Sequence, residues 1–135
     1  MTIKLSRSDS GKFRQLLQID QHELVADARF DPESDSGPNP HDLYDAALAA
    51  CKAITLLMYA EQARIPLEDV HITIDRDSSE ERSGKYHLHV GLVLIGQLDP
   101  TQKDRLEKVA AKCPVHKLMT TVETTITTTC EAIQG

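Results

Sequence analysis

The stretch GPNPHDLYDAALAACKAITLLMYAEQA, residues 37–63, decides how the rest of the chain must be arranged. Asn39 suits an N-cap, Pro40 the first helical position, and Asp42 lies near the positive end of the helix dipole. These signals predict a helix from Pro40 to about Ala63, ended before Pro66, whose ring cannot continue it. Its apolar stripe takes in Leu43, Ala47, Ala50, Ile54, Leu57 and Met58. Small side chains at Ala46, Ala47, Ala49, Ala50 and Ala53 spread around the axis, so the helix is expected to be buried on most sides and to admit a close neighbouring backbone. Its most apolar window, Ala46 to Ala60, falls short of the ~20 residues that cross a bilayer and carries Lys52, which points to burial in protein rather than in membrane.

Outward from this helix the periodicity changes. On the N-terminal side, TIKLSR (residues 2–7), FRQLLQI (13–19) and HELVADARF (22–30) read as three strands, with DQ as a hairpin turn between the second and third. DPESDSGPNP (31–40) is a loop. On the C-terminal side DVHITIDRD (69–77) alternates cleanly, SSEERSG (78–84) is a charged turn, and KYHLHVGLVLIG (85–96) is the longest strand signal. DPTQKDRLEKVAAKC (99–113) reads as an amphipathic helix with Leu106, Val109 and Ala110 inward, and CPVHKLMT (113–120) as a second short helix. TTVETTITTTCEAI (120–133) is expected to be a final strand, with Cys130 on its apolar face as a structural residue. The order β-β-β-α-β-β-α-α-β does not alternate, so the fold class is α+β. No repeat, low-complexity tract or linker interrupts it, and residues 1–135 are expected to form a single domain. One apolar helix and one modest sheet leave surface to cover, which a homodimer packing two such helices would do.

Composition narrows the function. The chain has 135 residues, is 40% hydrophobic, lacks tryptophan, and carries a formal net charge of -6. That charge, with no basic cluster among aromatics, is a poor match to nucleic acid or anionic lipid. The N-terminus MTIKLSRSDS lacks the apolar run of a signal peptide, and three cysteines make an odd number for a disulfide scaffold, so a reducing cytoplasm fits best.

The cysteines carry the chemistry. Cys51 sits mid-helix, where the simplest role is a small hydrophobe in a core; beyond the first turn the helix dipole does nothing for its ionisation, so a reactive Cys51 needs a cation nearby. Cys113 precedes Pro114 and reads as an N-cap, where free N–H groups stabilise a thiolate, and Lys112, His116 and Lys117 add positive charge, so local chemistry favours Cys113 as the more acidic thiol. A fold that brought the two together would permit two-cysteine peroxide reduction through a sulfenic acid and a disulfide. His71, His87 and His89 alternate on strand faces, but no carboxylate or cysteine completes a metal-ligand spacing, so a solvated polar face is the expectation and no metal or cofactor is.

GPNPHDLYDAALAAC, followed some 60 residues on by KCPVHKLM and a threonine-rich end, resembles the OsmC/Ohr family of osmotically inducible and organic hydroperoxide resistance proteins, in a divergent OsmC-like branch. The resemblance implies an intertwined homodimer with two central helices back to back and sheets wrapped around them. It implies a thiol peroxidase preferring organic hydroperoxides, with Cys51 as the attacking cysteine, Cys113 as the resolving one, no cofactor, and a dithiol or lipoylated protein as reductant. It also implies an arginine from the early strands over the thiolate, for which Arg14 and Arg29 are the better candidates and Arg7 a third. Where the family has a glutamate after the NP pair this chain has His41, with Asp42 next to it, and either would orient that arginine or relay protons. The alternative is a non-catalytic relative whose pocket holds a small apolar or lipid-like ligand.

Overall fold

The central helix α1 runs over Pro40–Ala63, as its end signals require. In the computed structural model, which describes residues 1–135, Asn39 and Asp42 close a reciprocal cap: the Asp42 N–H donates to Asn39 Oδ1 at 2.8 Å and the Asn39 N–H to Asp42 Oδ2 at 2.9 Å. At the other end Arg64 takes a left-handed conformation (φ 57°) and Ile65 bonds back to the Ala60 carbonyl, turning the chain into the next strand.

The remaining elements are β1 (Ile3–Arg7), β2 (Gln15–Ile19), β3 (His22–Ala26), β4 (Leu67–Asp77), β5 (His87–Gly96), α2 (Pro100–Ala110) and α3 (Pro114–Thr120). β1, β2 and β3 form an antiparallel meander in which Ile3 faces Ile19 and Ile19 faces His22 across the two-residue Asp20–Gln21 turn. β4 and β5 form a second sheet of two strands. The third strand is shorter than HELVADARF suggests. It stops at Ala26 because Asp27 turns its carboxylate to the Ser36 N–H and hydroxyl, and Pro32–Ser34 adds a 3₁₀ turn capped by Asp31.

The expected final strand does not form: residues 123–135 have no regular structure and are exposed, Cys130 among them. A strand needs a partner for its backbone N–H and C=O groups, and none pairs with this segment here. Cys130 is thus exposed in the single chain, where its apolar spacing suggests burial.

The chain divides into two compact units, residues 1–50 with 71–93, and residues 51–70 with 94–135. In the first, Ala26 and Leu48 are buried, as are the polar residues Ser8, Asp27, Ser34 and Asp45. In the second, Leu56, Ala60, Ile65, Leu106, Ala110 and Cys113 are buried. α2 begins with a capping box between Asp99 and Gln102 and presents Leu106 and Ala110 inward, as its periodicity predicts.

α1 itself is less covered than its composition predicts. Ile54 and Met58 are each 57% exposed, and Tyr44 and Leu57 are also open. The full 24-residue helix is long and apolar enough to cross a bilayer by length and composition, which the shorter apolar window is not. Its ionised residues argue for a protein environment: Asp45 and Lys52 are both buried and both hydrogen-bonded to other parts of the chain.

Candidate functional site

Cys51 and Cys113 come together in the second unit. The link is α3, whose N-cap is Cys113 and whose first residue is Pro114. Proline leaves no N–H at that position, so the first free donor of the turn belongs to Val115. That N–H donates to Cys51 Sγ at 3.4 Å. The Thr55 hydroxyl lies 4.0 Å from the same sulfur, one helical turn on. Cys51 is half-buried, Cys113 is fully buried, and both are reduced.

The N-cap position does not leave Cys113 with the acidified thiol that the sequence suggests. Burial pushes its thiol up. The His116 backbone N–H and the charge of Lys52 work the other way, while a hydrogen bond with the Cys51 sulfur and the charge that sulfur can carry add to the rise. The cap thus supplies donors to both sulfurs, and desolvation outweighs them at the inner one. Nor does the positive charge come from the neighbours expected of it. Lys112 and Lys117 are exposed, and burial followed by the Lys52 charge lowers His116 below its ordinary value, which keeps the ring neutral. The cation is Lys52, whose Nζ donates to the Ala110 carbonyl at 2.6 Å and pairs with His116 Nδ1 at 3.0 Å.

The other expected site residues lie in the first unit. Arg14 gives Nη1 to the Ser8 hydroxyl at 2.7 Å. Arg29, in a left-handed conformation (φ 60°), spans Asp35 at 2.9 Å and Asp42 at 2.8 Å. Asp42 also takes Nη2 of Arg76 at 2.8 Å. Its carboxyl is held well below the usual range, first by the Asn39 N–H and then by Arg76. His41 pairs with Glu81 at 2.9 Å. Arg7 lies on β1 and is exposed.

Arg76 and Tyr86 are absent from the sequence reading but organise this unit. Arg76 Nε donates to Asp45 at 2.6 Å and the Tyr86 hydroxyl to the same carboxylate at 2.7 Å. The cluster borders a cavity of about 330 Å³ lined by Asp42, Asp45, Ala46, Ala49, Ile74 and Arg76. A second cavity of about 420 Å³ is mostly apolar, with Phe13 and Phe30 edge to face across it, their centroids 5.7 Å apart. Arginine at an even register of β4 was a detectable signal: the buried Asp45 on an apolar helix demands a cation, though sequence alone does not say which one.

A family model described as OsmC-like protein matches residues 33–129. Among curated proteins none matches the chain. Several solved structures share the fold. An OsmC like protein from Mycoplasma pneumoniae is 20% identical, with a TM-score of 0.73, covering 90% of this chain and 87% of its own. An osmotic stress induced and detoxification response protein from Psychrobacter arcticus is 19% identical, with a TM-score of 0.71 and 87% of each chain covered. An organic hydroperoxide resistance protein OsmC from Legionella pneumophila is 20% identical, with a TM-score of 0.61 and 90% of each chain covered.

Proposed function

The chain belongs to the OsmC-like protein family, and on that premise we propose that it is a thiol-dependent peroxidase that reduces organic hydroperoxides to alcohols. The observation that carries this reading is the seating of one free thiol on the turn that bears the other: Cys51 Sγ receives the backbone N–H of Val115, two residues after Cys113. The choice of organic hydroperoxides as substrate is supported by the Legionella relative, which is named for resistance to them.

In this reading Cys51, the more exposed thiol, attacks as a thiolate. An S–O bond forms, the peroxide O–O bond breaks, and the alkoxide leaves as alcohol after taking a proton; Cys51 is oxidised to a sulfenic acid. The Cys113 sulfur then attacks the Cys51 sulfur, the S–S bond forms, and hydroxide leaves as water with the Cys113 proton. A cellular dithiol, free or carried on a lipoylated protein, reduces the disulfide and is itself oxidised. The enzyme works in the cytoplasm as a homodimer, whose second copy covers the open apolar face of α1.

A second reading, binding of a small apolar ligand without chemistry, draws on the apolar cavity beside Phe13 and Phe30. Stopped-flow consumption of cumene hydroperoxide with a dithiol separates the two. The peroxidase consumes it catalytically and Cys51→Ser does not; equal rates for the two proteins overturn the assignment.

A further inference from the structure

Lys52 is 4% exposed. An ammonium at that depth has lost most of its hydration, and buried charges are ordinarily paired. Yet neither of its two hydrogen-bond partners is anionic: one is the Ala110 carbonyl, the other the neutral ring of His116. Those partners stand three residues before and three residues after Cys113. The lysine is thereby tethered to both arms of the turn that carries the inner thiol, while its own backbone adjoins Cys51 on α1.

We propose that Lys52 is the positioning cation of the thiol pair: its ammonium, fixed by the Ala110 carbonyl and the His116 imidazole, holds the one negative charge that Cys51 and Cys113 share on ionisation. This rests on the peroxidase reading, of which it names the activating group. In the resting dithiol the ammonium is met by dipoles alone; when a thiol ionises it gains a counter-charge. The same charge serves the reductive step, when the incoming dithiol attacks Cys51 and Cys113 departs as thiolate.

The titratable groups at the pair are Lys52 and the two thiols, with His116 from α3; α2 contributes only the uncharged Ala110 carbonyl, and Thr55 a hydroxyl. The Lys52 charge opposes the burial that raises Cys113. Because the thiols interact, the first ionisation belongs to the pair rather than to either residue.

The test is the rate of alkylation of the reduced full-length protein by iodoacetamide against pH, with folding checked by circular dichroism. Lys52→Met raises the pair's first apparent pKa by about one unit or more, the effect of losing a nearby opposite charge. Lys52→Arg, which keeps the charge, stays close to wild type. A Lys52→Met profile that superimposes on wild type overturns the proposal.

Should Lys52→Met fail to fold, Lys52→Gln, which keeps a donor for the Ala110 carbonyl without the charge, takes its place in the same assay. It too raises the pair's first apparent pKa, and a Lys52→Gln profile that superimposes on wild type overturns the proposal. Alkylation reads the thiols and not turnover. A protein with the shifted profile but no hydroperoxide consumption keeps this inference and loses the peroxidase reading; an inactive Cys51→Ser beside an unshifted Lys52→Met does the reverse.

Discussion

The backbone N–H of Val115 donates to the sulfur of Cys51 across 3.4 Å, so the first turn of α3 sets the polarity around a thiol in the middle of another helix. That relationship does not depend on the sulfur of Cys113. Cys113→Ala therefore leaves Cys51 able to react once. It consumes about one equivalent of hydroperoxide per chain, then stops, with a sulfenic acid on Cys51 that dimedone captures. Steady turnover equal to wild type would remove Cys113 from the cycle.

Arg76 satisfies two carboxylates on α1, and the one at Asp45 is buried. Arg76→Met strands that charge. Breaking a buried pair costs about 3–5 kcal/mol, and the partial exposure of Arg76 reduces this to roughly 2 kcal/mol. Denaturant unfolding measures it, and Asp45→Asn combined with Arg76→Met recovers part of the loss because the stranded charge is gone.

The same cluster shapes stability at both ends of the pH scale. Asp42 has a depressed pKa, so its contribution is fully present above the ordinary carboxylate value of about 4 and is lost as pH falls through its folded value. Tyr86 is pushed up to about 12, first by burial and then by its bond to Asp45. Its contribution is complete below the ordinary phenol value of about 10 and is lost as pH rises toward its folded value. Asp42→Asn flattens the acid limb and Tyr86→Phe the alkaline limb of a denaturation-midpoint profile. In the wild type one tyrosine ionises late by ultraviolet titration.

Ile54 and Met58 stand one turn apart on the open side of α1. If a second copy covers that face, Ile54→Glu with Met58→Glu buries two unpaired carboxylates in the contact and leaves a monomer. Sedimentation velocity reads this directly: a wild-type dimer and a variant monomer are expected, and an unchanged dimer places the contact elsewhere.

The sequence discloses the helices better than the site. Asn39, Pro40 and Pro66 bound α1 through chemistry that acts within a few residues, and the same holds for Asp99 and Gln102 at α2. Along residues 120–133 the alternation reports what a strand would bury, not whether a partner strand exists, and residues 123–135 have no regular structure. Cys113 was misread for a related reason: a cap is local, but the burial that outweighs it is tertiary. Lys52 stands out in the sequence as a charge within an apolar helix, but the sequence does not show what holds it there. Its partners, Ala110 and His116, are 58 and 64 residues away, beyond the reach of any local rule. Arg76 is 31 and 34 residues from its two aspartates and was hidden in the same way.

The most direct measurement is peptide mapping under non-reducing conditions after one equivalent of cumene hydroperoxide has been added to the reduced protein. The account predicts a disulfide between the peptides carrying Cys51 and Cys113, with Cys130 still a thiol. Oxidation confined to the exposed Cys130, or no Cys51–Cys113 disulfide at all, would contradict it.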